Sequence, residues 1–101
     1  MTHQDKIDKM LQGDKIILKQ SLKSDNAILR MVAIINCTKF KINDDEIIKD
    51  IKMLVTDSSF IDICGFKVCE VAIASLHLLK IERYQGENSS ILRLIKSNFE
   101  F

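Results

Sequence analysis

The apolar positions in NDDEIIKDIKMLVTD keep a helical period. Ile47, Ile48, Ile51, Leu54 and Val55 fall at i, i+1, i+4, i+7 and i+8, one stripe along one side of a helix. Asn43, with Glu46 three residues later, has capping-box spacing, and Asp44 and Asp45 suit the positive end of the helix dipole. This stretch therefore predicts an amphipathic helix that buries one face and shows the other to water. The segment before it, DNAILRMVAIINCTKF, reads differently. After a capping Asp25, apolar residues point in almost every direction of the wheel, which predicts a helix contacted on several sides. The stretch from about Phe60 to Glu82 predicts a second such helix, with Gly65 as its bend or start. Ile7, Met10 and Leu11 mark a short N-terminal helix, and Ile17, Leu18 and Leu22 mark another after Gly13. Beyond the GENSS turn, Ile91, Leu92, Ile95 and Phe99 form a last amphipathic stripe.

Composition supports an all-α chain. The 101 residues contain no proline and three glycines, so helix breakers are nearly absent. That length predicts a single domain over residues 1–101. Apolar residues make up 47% and charged residues 29%, the balance of a soluble globular protein. The N-terminal MTHQDKIDK is polar, without a signal-like apolar region, and the charge-free apolar runs are too short to span a bilayer. Three cysteines, Cys37, Cys64 and Cys69, form an odd set without a disulfide-scaffold spacing. The expectation is a complete chain beginning at Met1, in a reducing cytoplasm, with no membrane contact.

Two stretches of the chain echo each other. DKIILKQSLKSD and DEIIKDIKMLVTD share an acidic start, an Ile-Ile pair, a Leu and a closing Asp, and each precedes a longer, more apolar helix. The first helices match at an offset of thirty-one to thirty-two residues, and the second helices at about forty. The outline is an αα-hairpin repeated about twice with partial hairpins at the ends. With LRMVA (Leu29 to Ala33) and KVCEVA (Lys67 to Ala72), this pattern resembles the HEAT-like (armadillo-type) helical repeat family. The resemblance covers residues 13 to 99 and implies five to six helices stacked as αα-hairpins in a right-handed array. The longer connection in the second copy departs from the family pattern. An unrelated small helical bundle is the other architecture open to this sequence.

The stretch CGFKVCEVAIASLH places two thiols, a carboxylate and an imidazole close together. On a helix, five residues turn Cys64 and Cys69 about 140° apart, and the step from Glu70 to His77 rises about 10 Å. The residues neither converge on one ion nor supply the four ligands of a closed zinc site, so no metal or cofactor is expected. Cys69 reads as a small apolar residue in a helix wall. The same helix carries a polar strip, Glu70, Ala74, His77 and Ile81. Forty residues earlier, Arg30, Ile34, Cys37 and Lys41 have the same spacing. Stacked side by side, the two strips either form a mixed binding face or are the solvated sides of two buried helices. On the binding-face reading the candidate partner-binding residues are Arg30, Lys41, Lys67, Glu70 and His77. Asn36 lies on an apolar arc and is expected to bond a neighbouring turn, with a partner contact as the alternative. The acidic group Asp44, Asp45, Glu46 and Asp50 serves capping and the dipole, or docks a basic partner.

Catalysis is not expected: the sequence has no phosphate-binding loop, paired helical histidines or recognisable nucleophile set. A net charge of +1 with few aromatics argues against nucleic acid, although Lys39 and Lys41 form a small cluster. A non-catalytic protein-binding module remains. The sharpest version is a small cytoplasmic inhibitor, such as an immunity protein that occludes a toxin. The alternative is an adaptor or subunit of a larger assembly, including a homodimer.

Overall fold

The computed structural model describes residues 2–62 and 65–81. Among them are five α-helices: α1 (His3–Leu11), α2 (Lys15–Leu22), α3 (Ala27–Lys39), α4 (Asp45–Met53) and α5 (Val68–Leu78). A short 3₁₀ turn, Leu54–Thr56, follows α4. Strands β1 (Phe60–Ile61) and β2 (Phe66–Lys67) precede α5. The chain is thus mostly helical, as its periodicity predicts, but it is not purely α. The predicted helix from Phe60 to Glu82 is instead an antiparallel hairpin, Phe60↔Lys67 and Ile61↔Phe66, followed by α5. Gly65 turns the hairpin at φ 76, in the left-handed region that glycine enters without a Cβ penalty. The stripe at Ile91, Leu92, Ile95 and Phe99, the C-terminal Phe101 and Cys64 lie outside the described residues.

Local chemistry fixes where the helices start. Thr2 and Asp5 form a reciprocal capping box on α1, with Asp5 N–H donating to Thr2 Oγ1 and Thr2 N–H to Asp5 Oδ2. Asp14 accepts from Ile17 N–H at α2. For α3 the cap is Asn26 rather than Asp25, one residue later than expected. Its Oδ1 accepts from Ile28 N–H at 2.9 Å and Leu29 N–H at 3.1 Å. The expected box of Asn43 with Glu46 does not form. Asp44 occupies the N-cap without a side-chain cap bond, and the carboxylates of Asp44 and Glu46 pair with Lys15 and Lys19 instead.

Side-chain contacts give the helix directions. His3, at the start of α1, reaches Asn26 at the start of α3. The ring of Phe40, just past the end of α3, covers Gly13, just past the end of α1. Hence α1 and α3 run parallel. Near the ends of α3 and α5, Thr38 hydrogen-bonds Ser75. Near their starts, Arg30 meets Asp57 and Ser59, whose carbonyls accept from Cys69 N–H and Val68 N–H in the first turn of α5. So α3 and α5 are parallel too. In the other layer, Lys15, Lys19 and the C-cap Lys23 of α2 face the N-cap Asp44, Glu46 and Asp50 of α4 in the same order, which makes that pair parallel. The chain therefore alternates between a layer of α1, α3 and α5 and a layer of α2 and α4.

The core lies between the layers. Met10, Leu18, Leu29, Ile34, Ile47, Ile51, Val68 and Leu76 are among its fully buried side chains. The stripe of α4 buries Ile47, Ile48 and Ile51, while Leu54 and Val55 are half-buried in the 3₁₀ turn. Fully burying each such aliphatic side chain contributes roughly 1.5–3 kcal/mol. Asn36 is buried, but its amide donates to Val32 C=O in its own helix rather than to a neighbouring turn.

Candidate functional site

The middles of the two proposed strips are buried, while Lys41 and Ile81 at their ends are exposed. Ile34, Cys37 and Ala74 are all 0% exposed, because α3 packs directly along α5. Burial, the larger cause, and the Asp44 charge push the Cys37 thiol up to about 12, so it stays protonated at neutral pH. The residues at the ends of the strips separate into two groups at opposite ends of the helices.

Arg30 stands at the first end. Its side chain is 14% exposed and makes three directed bonds: Nε to Asp57 Oδ2 at 2.9 Å, one terminal nitrogen to Ser24 C=O at 2.7 Å, and the other to Ser59 Oγ at 3.0 Å. The guanidinium thereby ties the α2–α3 turn to the segment leading into the hairpin. Burial works to raise the Asp57 pKa, but bonds from Ser59 and the charge and bond of Arg30 outweigh it and hold the carboxyl below its ordinary range. Lys67 and Glu70 are also together here. Lys67 is exposed at the N-cap of α5, and its backbone N–H donates to Glu70 Oε1 at 2.9 Å. Glu70 spends one oxygen on starting its own helix.

Lys41 and His77 meet at the other end. A cleft of about 590 Å³ opens between the C-terminal ends of α3 and α5, lined by Thr38, Lys41, Asn43 and residues 77–80. Both helices end in the same way. Ile42 N–H donates to Cys37 C=O and Lys41 N–H to Thr38 C=O; Ile81 N–H donates to Leu76 C=O and Lys80 N–H to His77 C=O. These are two Schellman motifs, each with a lysine at the left-handed position. Lys41 has φ 54 and Lys80 has φ 62.

The matching caps correct the repeat register. Lys41 corresponds to Lys80, thirty-nine residues on, and not to Ile81. One residue rotates a helical position by about 100°, so the forty-residue offset aligned the wrong faces and missed Lys80. The sequence does hold a signal for it: Phe40-Lys41-Ile42 and Leu79-Lys80-Ile81 are the same apolar-Lys-Ile triplet.

The acidic group also divides. Asp50 is 8% exposed, with Lys23 Nζ 3.8 Å from Oδ2. Lys19 Nζ bonds Glu46 Oε2 at 3.0 Å. Asp45 remains exposed beside Ile48, Lys49, Lys52 and Met53 along a shallow groove of α4.

Among the described residues, no helix is long and apolar enough to cross a membrane. Compared with protein-family models, curated proteins and solved structures, the chain matches none.

Proposed function

We propose that this chain is a non-catalytic protein-binding module with HEAT-like stacked hairpins, acting in the cytoplasm as a small inhibitor of a protein such as a toxin. The observation that carries the reading is the cleft at the ends of α3 and α5, where two helices with matching terminations bring Lys41, His77 and Lys80 to one place. Parallel helices within each layer, three in one and two in the other among the described residues, are the arrangement expected of stacked αα-hairpins. Such stacks recognise partners on rows of helix ends and faces. On this reading the partner is held by charge complementarity and its active surface is covered, with no chemical step.

A second reading, an adaptor or homodimer, draws on the exposure of Ile16 (68%), Met53 (68%) and Phe60 (57%). Large apolar side chains left in water suit an apolar contact between subunits.

Affinity capture with the tagged chain, followed by co-expression with the captured protein, tests the first reading. The expected result is one stoichiometric partner whose toxicity or activity falls when this chain is present, and whose capture fails with Lys41→Glu. A stable dimer by light scattering, with no captured partner, would overturn it and favour the second.

A further inference from the structure

The structure assigns a ligand chemistry to the cleft: we propose that Lys41 and Lys80 bind carboxylates of an acidic segment in the partner protein. The proposal rests on the protein-binding reading above and names the chemistry of its contact.

The first support is the backbone. The left-handed region is open to glycine and costs other residues steric strain. The chain uses glycine there at Gly13 (φ 82) and Gly65 (φ 76), but lysine at both helix ends that border the cleft (φ 54 and 62). A backbone outlier of this kind, repeated at one site, points to a use for the side chain.

The second support is that helix termination does not require the lysines. The Schellman bonds use main-chain N–H groups, so any residue that enters the left-handed region could make them. Among the described residues neither ammonium takes part in an ion pair, and the nearby Asp44 is paired with Lys15. Among the described residues, two cations thus face one cleft without a neutralising carboxylate. The residual negative charge of two helix ends, roughly half an elementary charge each, is outweighed by two full positive charges.

The third support is the lining. Half-buried Leu78 and Leu79 give the cleft an apolar wall, and Thr38 and Asn43 add polar atoms. Its volume of about 590 Å³ is enough for a few side chains. A segment with two or more Asp or Glu residues around an apolar side chain fits this composition. Lysine acts as a flexible point charge, so the attraction should be strongly screened by salt.

Fluorescence anisotropy with three labelled probes tests the proposal: a Glu-Leu-Glu-Asp-Leu-Glu peptide, its Gln/Asn counterpart, and an eight-nucleotide thymidine strand. The proteins are the full chain, Lys41→Gly, Lys80→Gly, the double variant, and Lys49→Ala as a control for an exposed lysine on α4. Expected are binding of the acidic peptide that weakens with salt, at least about ten-fold weaker binding of the neutral peptide, and loss of binding in the double variant. Its melting temperature should be unchanged or higher, which separates lost binding from lost folding. Lys49→Ala should bind like the parent chain. The proposal is overturned by full binding in the double variant, by equal binding of the neutral peptide, by equal loss in Lys49→Ala, or by tighter binding of the oligonucleotide. If the double variant still captures the partner, the cleft assignment fails while the protein-binding reading stands. If the peptide result holds but no partner exists in cells, the cleft chemistry stands and that reading fails.

Discussion

The two ends of the α3–α5 pair carry similar residue types and use them differently. At the start of the helices, Arg30 is bonded to Asp57, Ser24 and Ser59, and Glu70 is bonded to the backbone of Lys67. At the far end, Lys41 and Lys80 sit on strained backbone and face a cleft. The first end spends its charge on holding loops together. The second end gives up some backbone stability to present its charge. The contrast shows that a charged residue at a helix end is informative only once its partners and its backbone conformation are known.

Changes at the helix contact and at the two ends should differ in sign as well as size. The largest effect is expected at the contact itself. Ile34→Ala removes a fully buried side chain and should cost about 2–5 kcal/mol in urea denaturation; a value near zero would return the strip to solvent. Arg30→Ala comes next, at about 2–3 kcal/mol, because it leaves Asp57 and the Ser24 carbonyl without their partner. The same contact predicts a pH dependence. The Asp57 pKa is lowered on folding from 3.8, so its contribution is complete above about pH 4 and is lost as pH falls through the folded value. Asp57→Asn should flatten that acid limb in a pH series of melts, and an unchanged limb would assign it to other carboxylates.

Smaller effects follow. Ser75→Ala removes the bond to Thr38, whose hydroxyl still donates to Ile34 C=O; a loss of about 1 kcal/mol is expected. Lys41→Gly and Lys80→Gly should each stabilise by up to about 1 kcal/mol, since relief of the left-handed strain slightly exceeds the added entropy of the unfolded chain. Clear destabilisation by calorimetry would show that these lysines serve the fold, and the contrast between the two ends would disappear.

How legible this was varied along the chain. The stripe of α4 needed only its isoleucines, because a helix with one buried face writes its period plainly. The caps were legible to within one residue, since SDNA and NDDE each offer several capping side chains and only tertiary pairing decides among them. Lys15 draws Asp44 away from capping, for example. The hairpin was missed because FIDICGFKVC is apolar enough to suit a strand or a buried helix, and short apolar runs do not separate the two by period. The site residues were scattered for a related reason. A helix apolar on every side does not say which of its polar positions faces a neighbour, so Arg30 and Lys41 looked equivalent until α5 was placed beside them.

The helices within each layer are also joined by different forces. Where α2 meets α4, three lysines face three carboxylates, and two of those contacts are largely in water. Where α3 meets α5, the contact is buried and mainly apolar, with the Thr38–Ser75 hydrogen bond inside it. Salt weakens the first kind of joint and spares the second. The protein is therefore built like a strip laminated from two materials: a change in ionic strength loosens the α2–α4 side and spares the α3–α5 side, at whose end the cleft lies.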